Sequence, residues 1–377
     1  MSVNDWTDPR TLPDFPWDRL TPYKERARSR GLIDLSIGTP VDDVPEIIQE
    51  ALRAAANSPG YPTVWGTPEL RAAAAGWMQR KLNVTVHPDA ILPTIGSKEL
   101  VAMLPFQLGL SARDVIAIPA IAYPTYDVGA RLAGAAVVVA DGVEELEFAR
   151  IRVEASGRAL KMVWLNSPSN PTGEVASVDA LKAIVAWGRE HDILIVNDEC
   201  YIELGWDEQP VSILHASICG DGPDAHRGVI AVHSLSKRSN LAGYRGGFIT
   251  GDAGMVKRLL EIRKHSGSMV PGPIQAAMVA AYNDDAHVAV QYARYEARRT
   301  ALRAALLAAG YRVDGSKAGL YLWTTRGEDC WKTLEALADL GILAAPGEFY
   351  GKAAQQHVRI ALTGSDADIA EAVRRLS

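Results

Sequence analysis

Between about Glu46 and Val270, short unbroken apolar runs alternate with amphipathic stretches, and no other feature constrains the fold as much. VIAIP, VVVA, MVWLN, ILIVN, VIAVHS and GFIT read as buried strands, because they lack the polar alternation of a strand with one wet face. Between them, stretches such as DALKAIVAWGRE carry apolar residues at helical spacing. Buried strands separated by helices predict a largely parallel, doubly wound sheet. Ligands of such sheets collect beyond the carboxyl ends of the strands.

The pattern changes after PGPIQAAM. A long helix through HVAVQYARYEARRTALRAALLAAG is followed by strands LYLW, GILAA and HVRIAL and an amphipathic helix, which predicts a separate small α+β unit. A chain of 377 residues exceeds the usual size of one core, so two domains are expected. The predicted division is residues 46–270 for the large domain and 271–377 for the small one. Residues 1–45 form an N-terminal arm that packs with the small domain or with a second subunit.

Composition narrows the partners. Basic runs are missing and the net charge is −6, which argues against nucleic acid, since phosphate backbones need clustered Lys and Arg. No apolar run is long enough to span a bilayer, so no membrane partner is expected. MSVNDWTDPRTLPDFPW lacks a basic segment followed by an apolar core, which leads to the expectation of a cytoplasmic protein. Cys200, Cys219 and Cys330 are far apart without CxxC spacing, as expected of reduced thiols, and no metal is assigned to them.

Several reactive side chains fall at predicted strand ends. ILIVN runs into Asp198 of NDECY, with Tyr201 three residues on; alone, Asp198 reads equally as a helix cap. MVWLN leads into NSPSNPTGE and Asn170, whose plainer reading is a proline turn before a helix. In TIGSKEL, Gly96, Ser97 and Lys98 open a helix whose exposed N–H groups would seat an anion, although a simple serine cap explains the motif by itself. VIAVHS delivers Ser234 and Ser236 beside Lys237, with Arg245 in a glycine-flanked turn eight residues later. Hydroxyls and a guanidinium suit a phosphate, and a lysine amine forms a Schiff base with an aldehyde. Taken jointly, a lysine for an aldehyde, a phosphate cradle and an acid for a pyridine nitrogen describe a pyridoxal phosphate site. Lys237, released when a substrate amine takes the aldehyde, is then placed as the base that moves the α-carbon proton.

At these residues the chain resembles the fold-type-I, class I/II aminotransferases over nearly its full length. The motifs carrying the resemblance are YPTVWGTPELR, GSKEL, AYPTY, NSPSNPTG, NDECY, SLSK with Arg245, and HVRIAL. It implies the α/β aminotransferase fold and these roles: Lys237 as Schiff-base lysine, Asp198 on the pyridine nitrogen, and Asn170 and Tyr201 on the phenolic oxygen. It also implies that Ser234, Arg245 and the Gly96–Ser97–Lys98 turn hold the phosphate, with Ser236 a weaker candidate, and that Tyr123 stacks on the ring. Arg359 of HVRIAL would take the substrate α-carboxylate, and Gly38 of LSIGTP would lie against the substrate beside Asn170. Tyr61 would reach the phosphate of a neighbouring subunit, implying a homodimer with shared active sites. Ser239 and Leu235 stand where aromatic residues are common in the family, and no second arginine for a short side-chain carboxylate is recognised.

FPWDRLTPYK, GSKELVAMLPFQLGL, NDECYIELGWD, RKHSGSMVPGPIQAAM and PGEFYG are similar to the actinobacterial succinyldiaminopimelate aminotransferases. That similarity implies transfer between glutamate and N-succinyl-2-amino-6-oxopimelate, in lysine and diaminopimelate synthesis. Substrates of this kind carry a remote carboxylate, for which Arg263, Lys264 and His265 are nominated; a charged helix end is the alternative reading of these three. Other aminotransferase specificities or a carbon–sulfur β-lyase remain open on the same motifs. A cofactor-sensing regulator would need a DNA-binding module ahead of the sheet, for which the early start of the strand pattern leaves no room.

Overall fold

The computed structural model describes residues 12–377, so the first eleven residues of the expected N-terminal arm lie outside the described residues. In chain order, β1 (Ile33–Asp34) precedes the main sheet. That sheet has seven strands: β2 (Leu92–Ile95), β3 (Asp114–Ile118), β4 (Ala136–Val139), β5 (Ala159–Asn166), β6 (Leu194–Asp198), β7 (Val229–Ser234) and β8 (Gly246–Gly251). Their order is β2-β8-β7-β6-β5-β3-β4. All neighbours from β7 to β4 pair in parallel, whereas β8 runs antiparallel to both β7 and β2. The architecture is α/β with a mostly parallel central sheet.

Alternation of side chains across the pleat explains why the strands are apolar throughout. In β5, Val163 joins one core with Leu165 packed against it, while Met162 and Trp164 join the other. Val229 and Ala231 of β7 face the first core, and Ile230 and Val232 the second. Helices cover both faces. Val178–Glu190 is capped by Ser177, whose Oγ accepts from the Ala180 N–H at 3.2 Å, and it buries Leu181, Ile184, Val185 and Trp187 on one stripe. The edge strand β4 departs from the buried reading of VVVA: Val139 is 55% exposed because no strand lies beyond it.

The second unit contains β9 (Arg312–Asp314), β10 (Tyr321–Thr325), β11 (Ile342–Leu343), β12 (Ala345–Pro346) and β13 (His357–Ala361). Four of these form an antiparallel sheet in the order β12-β13-β10-β9. GILAA is divided between β11, which pairs in parallel with β1, and β12. Leu20, Ile33 and Leu35 of the N-terminal segment share a core with Leu322, Ile342 and Ile360. The predicted division at residue 270 places the helix Gly272–Asn283 in the second unit, but its Ala277, Met278 and Tyr282 are buried with Trp77 in the large core. We therefore draw the division after Asn283, where the long helix Ala286–Ala308 begins.

Candidate active site

A cleft of about 700 Å³ opens beyond the carboxyl ends of β5, β6 and β7, and the second unit closes it with Tyr321 of β10 and Arg359 of β13. Ser97, Lys98, Tyr123, Asn170, Asp198, Tyr201, Ser234, Ser236, Lys237, Arg245, Gly38 and Arg359 all line it. Twelve of the fourteen residues that the resemblance assigns to the cofactor and the α-amino acid end of the substrate thus meet in one place. Gly96 lies just behind, and Tyr61, 99% exposed, stands outside the cleft.

Asp198 ends β6 and is buried. Its Oδ2 accepts from the Tyr126 hydroxyl at 3.1 Å and its Oδ1 from the Cys200 N–H at 3.2 Å. Burial raises its pKa, and the hydrogen bonds from Cys200 and Tyr126 offset only part of that. Both partners are neutral donors, so a cationic N–H arriving in the cleft would relieve this carboxylate. Tyr126 is fixed in turn by stacking on Trp164, with centroids 4.8 Å apart, and by an edge contact with Tyr123.

After β5 the chain turns through two cis peptide bonds, Ser167–Pro168 and Asn170–Pro171. Asn166 holds the turn: its Nδ2 donates to the carbonyls of Asp198 at 2.8 Å and Pro168 at 3.0 Å, and its Oδ1 accepts from the Asn170 N–H at 2.7 Å. Asn170 Oδ1 then accepts from Arg359 Nη1 at 2.9 Å, while Arg359 Nη2 donates to the Ser36 carbonyl at 2.6 Å. Arg359 is 3% exposed, and its guanidinium lies 3.9 Å above the Tyr321 ring.

Lys237 sits in the single helical turn Leu235–Arg238 that follows β7. Its ammonium donates to the Gly38 carbonyl. Burial lowers its pKa, and the positive charges of Arg359 and Arg245 push the same way against Tyr321 and Cys200. The amine is thereby biased towards the neutral, nucleophilic form. Gly38 has no room for a side chain, since a Cβ there would overlap the Tyr321 hydroxyl.

A candidate anion seat is built from two sides. Ser234 Oγ accepts the Ser236 N–H at 3.1 Å at the end of β7. Gly96 (φ +69°) opens the helix Gly96–Gln107, and a Cβ on it would strike the guanidinium of Arg245. Arg245, itself left-handed (φ +59°), donates to the Ala242 carbonyl at 2.7 Å. An arginine facing a helix N-terminus is an arrangement that suits a phosphate. These groups fit pyridoxal phosphate: a biased lysine, an unrelieved buried acid and an anion seat occupy one cleft.

One nomination is corrected. Arg263 is fully buried and forked onto Glu99, at 3.1 and 3.0 Å, with Gln107 at 3.4 Å, so it serves packing and does not face the cleft. Lys264 pairs with Glu261 on its own helix. The sequence reading missed Tyr126, Cys200 and Tyr321. AYPTY contains the second tyrosine at helical spacing from the first, which is the one signal that pointed to Tyr126. Nothing in LYLW marks Tyr321.

A mostly parallel sheet carrying a lysine, an acid and an anion seat at its carboxyl edge defines an enzyme of the pyridoxal phosphate class. Residues 30–376 match the family described as aminotransferase class I and II, and the chain belongs to it. It is a pyridoxal-phosphate-dependent aminotransferase. The chain is 55% identical over 370 residues to the 4-dedimethylamino-4-oxo-anhydrotetracycline transaminase OxyQ of Streptomyces rimosus, covering 98% of this chain and 100% of that protein. It is 33% identical to an LL-diaminopimelate aminotransferase of Gloeobacter violaceus, with 95% and 96% covered. Among solved structures, a single mutant of Thermus thermophilus aspartate aminotransferase aligns with a TM-score of 0.84 at 25% identity, covering 98% of both chains.

Proposed function

We propose that the protein exchanges an amino group between glutamate and an amino or oxo acid bearing a remote carboxylate, and that this partner is N-succinyl-LL-2,6-diaminopimelate or its 6-oxo counterpart. The observation carrying the reading is Lys98. Its ammonium lies 5.7 Å from the Phe15 ring centroid at the mouth of the cleft, and among the described residues it has no carboxylate partner. With Arg359 assigned to the α-carboxylate and Arg245 to the phosphate, Lys98 is the cation left for a distal carboxylate. Its backbone N–H remains part of the phosphate seat. Similarity to an LL-diaminopimelate aminotransferase supports the same class of substrate.

When bound, pyridoxal phosphate supplies an aldehyde carbon and an electron-withdrawing ring that takes up the electron pair released at the α-carbon. Lys237 would hold the aldehyde carbon and, once a substrate amine takes its place, would be the base that moves the α-proton. Asp198 would keep a proton on the ring nitrogen. Asn170 and Tyr201 would donate to the phenolic oxygen, and Tyr123 would cover one ring face. Arg359 fixes the α-carboxylate so that the scissile C–H bond faces Lys237. Ser234, Ser236, Arg245, Gly96 and Ser97 anchor the phosphate. Tyr61, projecting from its own subunit, reaches the site of a second copy in a homodimer.

A second reading is favoured by the apolar mouth, where Phe15, Trp17, Ile37, Ala102 and Val128 face the opening. Such a wall suits a ring ketone of the kind named for OxyQ. The two readings separate on Lys98→Ala. Glutamate formation from the succinylated pimelate should fall about tenfold or more, the worth of one charge-assisted hydrogen bond. Turnover of the anhydrotetracycline ketone should be unchanged. Turnover of the ketone alone by the unaltered protein would replace the first reading with the second.

A further inference from the structure

Tyr321 belongs to the second unit, yet its hydroxyl meets the first. It is 4% exposed and its Oη lies 3.0 Å from the Tyr201 Oη. The same ring carries the Arg359 guanidinium on its face at 3.9 Å, and its edge meets the Tyr201 ring at 71°. The hydroxyl also fills the space in front of the Cα of Gly38, whose carbonyl holds Lys237. One side chain therefore touches the carboxylate-binding arginine, the tyrosine aimed at the cofactor and the glycine beside the lysine.

We propose that Tyr321 is a positioning residue that couples the two recognition events of the site: its ring seats Arg359 for the substrate carboxylate, and its hydroxyl sets the hydrogen bond that Tyr201 gives the phenolic oxygen. This rests on the roles proposed for Arg359 and Tyr201. Tyr201 has one proton. Once that proton is donated to the phenolic oxygen, the Tyr201 oxygen is an acceptor, and Tyr321 is the hydroxyl within reach to donate to it. A donor chain of this kind strengthens its last member. Charges facing Tyr321 come from Arg359 on β13 and Lys237 after β7, with Tyr201, Cys200, Tyr123, Tyr295 and Tyr350 as neutral neighbours. Burial works to raise the Tyr321 pKa, but the positive charges of Arg359 and Lys237 work against it, and the value is held below the ordinary one. A more acidic hydroxyl is a better donor to Tyr201.

The test uses cofactor-loaded Tyr321→Phe and Tyr321→Leu, read by the pH titration of the cofactor absorbance and by steady-state kinetics. Tyr321→Phe keeps the ring under Arg359 and removes only the hydroxyl. Its absorbance midpoint should rise by about one pH unit, the equivalent of one hydrogen bond, with KM for glutamate unchanged. Tyr321→Leu should show the same midpoint shift and in addition a KM raised about tenfold, as the stacking on Arg359 is lost. An unmoved midpoint in Tyr321→Phe, or a KM rise as large as that of the leucine variant, overturns the coupling. Failure of the underlying site assignment has a separate signature: Lys237→Ala would retain a pH-dependent cofactor absorbance.

Discussion

Arg359→Lys keeps the charge at the proposed carboxylate site and changes only its geometry. The native guanidinium is anchored by Asn170 at 2.9 Å, by the Ser36 carbonyl at 2.6 Å and by the Tyr321 face, with the Tyr350 ring 5.1 Å away. A lysine reaches this position as a single point charge, without the planar fork that grips both carboxylate oxygens. The loss is one charge-assisted hydrogen bond, about 1.5–3 kcal/mol. At about 1.4 kcal/mol per decade, kcat/KM for glutamate should fall roughly 10- to 150-fold. The assay is the amino-donor half-reaction followed through the cofactor absorbance, with a simple alkylamine beside the amino acid. The amine lacks the carboxylate and should react equally fast with both enzymes. Less than a threefold loss with glutamate, or an equal loss with the amine, would refute the assignment of Arg359 to the α-carboxylate.

Two further predictions concern the polar chamber behind Lys237. Arg238 and Glu203 form a buried ion pair there, with Arg238 also bound to the Ala281 carbonyl and Glu203 to Trp77. Glu203→Gln leaves a buried cation at a cost of about 3–5 kcal/mol. For 377 residues, an unfolding entropy of about 2.1 cal/mol/K per residue makes that a fall in Tm of about 4–6 °C. The pair replacement Glu203→Leu with Arg238→Met should recover more than half, and a double variant worse than the single would contradict the account. Beside this pair, burial raises Glu199 to about 7 and lowers His233 to about 3, with their side chains 3.6 Å apart. The folded state holds an extra proton on Glu199 between its ordinary 4.5 and 7, so that group's contribution to stability falls as pH rises. It lacks a proton on His233 between 3 and the ordinary 6.5, so that contribution rises, and the two offset where they overlap. His233→Asn should therefore expose a Tm that declines from about pH 4.5 to 7, and a profile parallel to the parent's counts against it.

What the sequence discloses here follows from the physics of each element. A strand buried on both faces must be apolar until it ends, so the first polar residue after ILIVN marks the carboxyl edge and places Asp198 there. The same logic locates Ser234 at the end of β7 and the Asn170 turn after β5. Strand direction is not encoded in that pattern, and β8 reads as apolar as its parallel neighbours although it runs the other way. Pairings across long separations are silent for the same reason: Arg263 and Glu99 are 164 positions apart, and only the fold makes them partners. A tyrosine in LYLW is as plausible in a core as in a cleft. Its role depends on where the second unit sits against the first, which local periodicity does not carry.

The arginine proposed for the substrate α-carboxylate is fixed in place and still has donors to give. Asn170 Oδ1 and the Ser36 carbonyl each take one N–H, from Nη1 and Nη2 respectively. A guanidinium carries five N–H donors, and the Nε of Arg359 is buried without a hydrogen-bond partner among the described residues. An arriving carboxylate can therefore take up remaining N–H groups while both anchors stay in place. Leaving a buried donor unsatisfied costs about 1–3 kcal/mol, which a carboxylate that reaches it removes. An amine without a carboxylate removes none of this cost, so its slower reaction reflects the lost ion pair together with a donor left unpaired, and the discrimination exceeds the value of the ion pair alone.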